Sequence, residues 1–479
     1  MNHRKVRQSA ALLVLAATLG YGGCAHYTPK PLEPEETAAR FEARTLDDPG
    51  LRAFIEKNLG HSLEAWPPAR WDLELLTLSA FYYRPALDEA RARWQAASAA
   101  VTTAGARPNP TLNLIPEYSL NPPAGISPWS PSLGIDLPLE TAGKRGHRVT
   151  EAQQRAEAAR LDVLSTAWRV RSELRSALLD LAAAHERERL LDDRLQAQER
   201  ITRSLEQQLA VGAVAASDVT PARTQLAKTR LDLETRRADL AQARVRVADA
   251  LGVPLSAVRE VQLDLDLDPA NVGDLMSAEL RSRALLSRTD VLSALADYAA
   301  AQAALQLEIA RQYPDVVLGP GYQWDQGQDK WRLGFAVELP LFNRNQGPIA
   351  AAEARRAELA AHFLELQGKA ISEVDHASTA LQLAQQALTS GESLLAEQRQ
   401  QLESMRSQFA AGAVAQPDVD AAQLALSDVR ELNLEARIRR QQALGDLEDA
   451  MQWPTAGAAQ AQALLRQIES TQQPPAASP

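Results

Sequence analysis

The sequence predicts a mostly α-helical chain with a small β part, built as an internal duplication of long antiparallel helical hairpins. Three observations carry this. Leu209-Ala-Val-Gly-Ala-Val-Ala-Ala-Ser-Asp-Val219 recurs as Phe409-Ala-Ala-Gly-Ala-Val-Ala-Gln-Pro-Asp-Val419. Gly212, Ala213, Val214, Asp218 and Val219 therefore fall on Gly412, Ala413, Val414, Asp418 and Val419 without a gap. Arg84 to Tyr118 overlies Arg288 to Tyr322 at a constant offset of 204 residues, with Arg107/Arg311, Pro110/Pro314 and Pro116/Pro320 identical. Aromatics make up only 5% of the chain while Ala, Leu, Glu, Arg and Gln dominate, which suits rods packed on rods better than a broad globular core.

The N-terminus starts basic (His3, Arg4, Lys5, Arg7), continues apolar from Ala10 to Leu19 and reaches Tyr21-Gly22-Gly23-Cys24. That order reads as an export signal over residues 1–23. The small residues before the only cysteine resemble a lipobox, which makes Cys24 the expected lipidation site; cleavage near Gly23 without lipid is the alternative. Residues 24–70 read as an extended, proline-rich tether and linker. A net charge of −10 argues against wrapping nucleic acid. No later apolar run is long enough for a transmembrane helix, but strands of a membrane barrel give a far weaker signal.

The first repeat spans 71–260. Helical character from Trp71 to Ala104 stops at Arg107-Pro108-Asn109-Pro110, because proline disfavours helix at and before its own position. Leu112, Leu114, Pro116, Tyr118 and Leu120 then alternate with polar residues, and Leu133, Ile135, Leu137 and Leu139 do so again. Period two of this kind is a strand with one apolar and one polar face. A helix from Glu151 to Val211 would run ~90 Å. Gly212 can stop it in a left-handed cap, after which Ser217 can cap the next helix. Val219, Leu226, Leu233, Leu240 and Val247 recur every seven residues, a seam that calls for helical partners.

The second repeat, 276–455, follows the same plan. Val316, Leu318, Tyr322 and Trp324 share one strand face, and Trp331, Leu333, Phe335, Val337, Leu339 and Leu341 another. Its long helix is expected from Pro348 to Ala411, with Pro417 in the first turn of the next. The heptad seam starts alike at Val419 and Leu426 but meets Asn433. Between the repeats, 261–275 holds Val261-Gln-Leu-Asp-Leu-Asp-Leu267, expected as a short edge strand. Residues 456–479 form a C-terminal segment with a disordered Pro/Ala/Ser tail.

Four strands with one apolar face cannot close a barrel alone, and an open edge in lipid leaves backbone groups unpaired. Several copies must pool strands: two give eight and three give twelve. Tyr118, Trp129, Tyr322, Trp324 and Trp331 suit the interface belt of a membrane barrel. Lys144, Arg145, His147 and Arg148 could meet lipid phosphates or form a solvated helix start.

The duplicated plan and the paired tips resemble the TolC-type outer-membrane efflux factors over nearly the whole mature chain. Leu137-Pro-Leu-Glu-Thr-Ala-Gly-Lys-Arg145 and Leu339-Pro-Leu-Phe-Asn-Arg-Asn-Gln-Gly347 look most like the heavy-metal, cobalt–zinc–cadmium branch. The resemblance implies a homotrimer with a twelve-stranded outer-membrane barrel and an α-helical tunnel in the periplasm. It implies a periplasmic adaptor and an inner-membrane pump of the resistance-nodulation-division type as partners, and outer-membrane lipids around the barrel. Gly212, Ala213, Val214, Asp218 and Val219, with Gly412, Ala413, Val414, Asp418 and Val419, would be the adaptor-docking tips. Drug-exporting members lock the tunnel with an Arg shortly after the second tip Gly, where Val414 stands here. Asp418 and Asp420 are candidates for an acidic ring at the tunnel mouth, although Asp418 also suits a helix N-terminus.

Catalysis is not expected: no nucleophile–base set, phosphate loop or metal-ligand spacing appears, and no cofactor is implied. Glu373 and His376 lie one turn apart, but two side chains do not make a metal site. A multidrug or type I secretion channel is the alternative cargo assignment. A periplasmic adaptor is the more distant alternative, since adaptors carry one main hairpin rather than two.

Overall fold

The computed structural model describes residues 26–122, 124–259, 261–265, 277–325 and 327–454. Cys24 and the export signal lie outside the described residues, as do most of the inter-repeat segment and the C-terminal tail. The chain divides into two units, residues 1–44 and 45–479. In the first, α1 (Pro34–Glu42) opens on a proline with Glu35 and Glu36 in its first turn, where the helix dipole favours them. In the second, α2 (Pro49–Leu59) also opens on a proline, and Asp48 caps it by accepting from the Leu51 N–H at 2.8 Å. The stretch expected to be an extended tether is therefore partly helical. Pro34 and Pro49 sit at helix starts, where a missing N–H costs little.

The second unit carries the duplication. The first repeat comprises α3 (Leu73–Tyr83), α4 (Pro85–Gly105), β1 (Thr111–Ile115), β2 (Ser132–Leu139), α5 (Lys144–Ala210) and α6 (Ala216–Leu251). The second comprises α7 (Ser277–Ser287), α8 (Thr289–Ala310), β3 (Val316–Asp325), β4 (Gln328–Val337), α9 (Gln346–Ala410) and α10 (Gln416–Met451). The 67-residue α5 and 65-residue α9 are each about 100 Å long.

Both long helices start earlier than the sequence suggested, at Lys144 and Gln346. Left-handed residues, Gly143 (φ 72°) and Asn345 (φ 62°), turn the chain into them. The early start of α5 is fixed by Lys144. Its buried Nζ donates to the Tyr313 carbonyl at 2.6 Å and pairs with Asp315 at 2.8 Å. Arg148 pairs with Glu140 and donates to the Ala104 carbonyl at 3.3 Å. Two members of the basic cluster considered for lipid phosphates are thus committed to internal partners.

The four strands form one antiparallel sheet in the order β1-β2-β3-β4. Register places Leu114 opposite Leu133, Leu133 opposite Tyr322 and Tyr322 opposite Trp331. Another row runs Leu137, Leu318, Phe335. The alternation read from the sequence thus becomes one continuous apolar face, and Asn113, Asp136, Gln323 and Lys330 fall on the other. Two strands are shorter than expected. β1 ends at Ile115 because Pro116 lacks a ladder donor, leaving Tyr118 in an isolated bridge with Trp129. β4 ends at Val337, so Leu339 and Leu341 lie beyond it.

The largest core gathers where α2, α3 and α4 meet α5 and α6. Trp71, Leu76, Phe81, Leu174, Leu178 and Leu251 are fully buried there. The segment Val261–Leu267, expected as an edge strand, is seen only as a parallel bridge between Leu263 and Trp71 within its described part. The two repeats join through β2 and β3 and where α5 packs on α8 and α10. Gly445 leaves room for the Arg175 guanidinium, since a Cβ there would sit 2.1 Å from Nη1. That buried guanidinium donates to the Gln441 carbonyl at 3.1 Å. Burial pulls its pKa below the usual arginine value, against the attraction of nearby Glu448.

Candidate functional site

The two tips share the same backbone hydrogen bonds. Gly212 (φ 75°) and Gly412 (φ 74°) hold the left-handed conformation that ends α5 and α9. The Gly212 N–H donates to the Leu209 carbonyl at 3.0 Å, and that of Ala213 to Gln208 at 2.8 Å. In the second tip, Gly412 donates to Phe409 at 2.9 Å and Ala413 to Gln408 at 2.9 Å. Each pair is a Schellman motif, which satisfies helix-end carbonyls. A side chain at either glycine would meet no neighbour, so the conformation alone selects glycine.

The following helices start at Ala216 and Gln416, the first of them two residues earlier than a Ser217 cap would give. Ser217 lies inside the first turn. Ala215 and Ala415 occupy the cap position in extended conformation, and neither has a side-chain acceptor. Asp218 reaches back to the Ala215 N–H at 3.1 Å, and Asp418 to the Ala415 N–H at 2.9 Å. One carboxylate three residues into the helix thus ties each turn together and favours the positive helix end. Pro417 sits in the first turn, as expected.

The tip residues divide by exposure. Gly212, Ala213 and Asp218, with Gly412, Ala413 and Asp418, are exposed; Val214 and Val414 are half-buried. Val219 and Val419 are buried, and Val419 packs on Leu402 and Leu426 inside its hairpin. Asp420 is also buried, and its carboxylate accepts from the Gln416 side chain at 3.1 Å. Sequence reading passed over Val211, which is 80% exposed beside the first Gly; an apolar residue ending a helix looks like ordinary seam until its exposure is known.

At the sheet, the sequence-selected aromatics come together in pairs. Tyr118 stacks edge-on against Trp129 with ring centres 4.9 Å apart, and Tyr322 tilts against Trp331 at 5.1 Å. Both pairs lie at the hairpin-turn end of their strands. Trp324 lies on the same face, opposite Asp329. Glu373 pairs with Arg288, and with His376, Asp446 and Asp449 it lines a cleft of about 490 Å³. Among the described residues no group of three His, Cys, Asp or Glu side chains is placed to hold a metal ion. No helix among them is long and apolar enough to cross a membrane.

Two long hairpins with matched tips, joined to an antiparallel sheet with one apolar face, define a class of protein. The family profile described as "Outer membrane efflux protein" matches residues 79–253 and 280–451, once per repeat. The chain belongs to the outer membrane efflux protein family. Cobalt-zinc-cadmium resistance protein CzcC of Cupriavidus metallidurans is 27% identical over 51% of this chain and 57% of its own. Probable outer membrane lipoprotein SilC of Salmonella typhimurium is 26% identical over 54% of this chain and 58% of its own. The chain thus spans little more than half the length of these relatives. Solved structures show the same fold. VceC of Vibrio cholerae superposes with a TM-score of 0.65 at 22% identity, covering 79% of this chain and 95% of that one. CmeC of Campylobacter jejuni gives 0.66 at 14%, covering 94% and 98%. The enzyme class is set aside by membership of a transport family.

Proposed function

We propose that this chain is one protomer of a trimeric outer-membrane channel that discharges substrates received from an inner-membrane pump through a periplasmic adaptor. The observation that carries it is the four-stranded sheet, apolar on one face and unpaired at β1 and β4. Pairing β4 of one copy with β1 of the next satisfies both edges. Three copies then close a twelve-stranded wall with a bore. The paired aromatics would lie at a membrane interface, and lipid on Cys24 would add an anchor. A channel of this kind works as a conduit and needs no cofactor.

The exposed Gly212, Ala213 and Asp218, with Gly412, Ala413 and Asp418, would face the adaptor, flanked by Val214 and Val414. Val219 and Val419 would shape the tips from inside. Of the acidic pair, exposed Asp418 would contribute to a ring around the tunnel mouth, a reading that buried Asp420 supports less. Replacing Gly212 or Gly412 by Pro should abolish export while the barrel still assembles, because only the turn is disturbed. Resistance assays beside trimer bands from the outer membrane test this, and full resistance in both variants would remove the tips as docking sites.

Heavy-metal cations are the cargo we favour, supported by the kinship with the cobalt-zinc-cadmium resistance protein CzcC and the cation efflux system protein CusC of Escherichia coli. A non-metal cargo has its own support in OpmQ of Pseudomonas aeruginosa, a pyoverdine export protein 25% identical over 51% of this chain. Deleting the gene and titrating zinc, cadmium, cobalt, copper and a drug panel separates the two. Sensitivity confined to the drugs would overturn the metal assignment.

A further inference from the structure

The chain contains its own template for the contact that its open strand edges would make. Because the sequence is duplicated, the join of β2 to β3, first repeat on second, has β4 on another copy's β1 as its counterpart. β3 follows β1 by 204 residues, as Leu318 follows Leu114, and β4 follows β2 by 202, as Pro340 follows Pro138. Both hairpins obey these offsets: Leu114 faces Leu133 in the first, and Leu318 faces Phe335 in the second. The β2–β3 register therefore transfers to the outer edges. Leu137 opposite Leu318 becomes Leu339 opposite Leu114, and Leu139 opposite Val316 becomes Leu341 opposite Leu112. All four transferred positions fall on the apolar side of the alternation, and a slip of one residue would set them against the polar side.

Strand lengths fit the same transfer. β1 covers β2 no further than Asp136, and β3 alone holds its last residues, Leu137 to Leu139. β4 is covered on one side only, as far as Val337, and stops there. Leu339 and Leu341, exposed beyond its end, are the counterparts of the residues that β3 holds in β2.

At the foot of the ladder the chemistry changes. The join within the chain is pinned by Lys144, the first residue of α5, which pairs with Asp315, while the Thr141 N–H donates to the same carboxylate at 2.9 Å. The same offsets bring Gln346, the first residue of α9, and Asn343 to Thr111 of another copy. All three are exposed, and none is charged.

We infer that β4 of one copy meets β1 of the next with Leu339 on Leu114, becoming strand as far as Leu341, over a junction of neutral side chains. Seams between copies then share the ladder and apolar rows of the internal join but lack its ionic pin. This register rests on the channel reading above, which calls for the contact without fixing its alignment.

Paired cysteines in the full-length protein, oxidised in membranes and read on denaturing gels without reductant, test the alignment. Leu339→Cys with Leu114→Cys should link copies into covalent trimers, and either change alone should not. Leu137→Cys with Leu318→Cys, the matching pair inside one chain, calibrates how readily this geometry closes. Leu339→Cys with Leu112→Cys, a slip of two residues that keeps the apolar faces together, should link about tenfold less. Stronger linkage in the slipped pair, or none between copies where the internal pair closes, would overturn the register. A trimer by size in detergent would then leave the channel reading standing, whereas a protein that stays single would remove both. Gln346→Lys with Thr111→Asp should pin each seam and raise the temperature at which trimers dissociate by about 2–4 °C. No rise over the unmodified protein would overturn the junction.

Discussion

Arg84 and Arg288 occupy the same place in the two repeats, just before α4 and α8, yet they are held differently. Arg84 donates to the Asp249 carbonyl at 2.9 Å and to Glu173 at 2.6 Å, and its side chain is 20% exposed. Arg288 donates to the Ala450 carbonyl at 3.1 Å, pairs with Glu373, and adds Asp290 at 2.6 Å, with 7% exposure. The first repeat has Ala86 where the second has Asp290. Burial alone would lower the Arg288 pKa, but the two carboxylates hold it above its ordinary value. A duplicated contact has thus become more deeply buried on one side, and an extra acid compensates the buried charge.

The hairpins diverge in the opposite sense. The first is stitched by four ion pairs across α5 and α6, namely Arg223–Glu206, Arg230–Glu199, Arg237–Glu188 and Arg246–Asp180. Its interior near the tip is polar, with Thr229 bonded to Gln198 at 3.1 Å and the Thr202 hydroxyl unpartnered. The second has Leu402 where the first has Thr202. Across that hairpin, Arg406 and Arg440 donate to the neutral amides of Gln423 and Gln385. One hairpin is held along its flanks, the other by a greasy plug near its end.

Three measurements would break or sharpen this contrast. The largest effect is expected from Arg288→Ala, which leaves two acids facing each other and should cost ~3 kcal/mol; Arg84→Ala should cost about 1. Thermal unfolding of the two variants checks it, and equal losses would mean the extra burial is without consequence. Next, Leu402→Ala should cost about 2–3 kcal/mol and loosen the second tip. Thr202→Val should be neutral or mildly stabilising, because it removes an unsatisfied hydroxyl. Amide exchange at residues 402–426 and 202–226 reads both. The smallest effect is ionic: raising salt to about 1 M should speed exchange along the first hairpin alone, since each exposed pair contributes at most ~0.5 kcal/mol.

Much of this architecture was readable in the residues. The tips were legible because glycine at a helix end has one conformational purpose, and its recurrence with Asp218 and Asp418 fixed both turns. The sheet was legible because alternation of apolar and polar residues matches the two faces of a strand and not the turn of a helix. What escaped depended on partners far along the chain. Lys144 looked solvent-facing until Tyr313 and Asp315 came beside it. The capping role passed from Ser217 to the neighbouring Asp218, a choice local propensity does not settle. Prolines near residues 34 and 49 suggested an extended tether, although the same residue begins helices. Asn433 was visible as a break in the heptad seam, but its burial against Gly391 across the hairpin was not.

β4 presents ten consecutive exposed residues at one margin of the sheet, with Trp331, Leu333, Phe335 and Val337 along a single side. Its outer backbone groups await a ladder, which makes it a template for fibril-like stacking. On the proposed reading, a freshly secreted copy crosses water in this state before finding bilayer and siblings. Periplasmic holdases that mask β4 would raise yield without touching the finished pore.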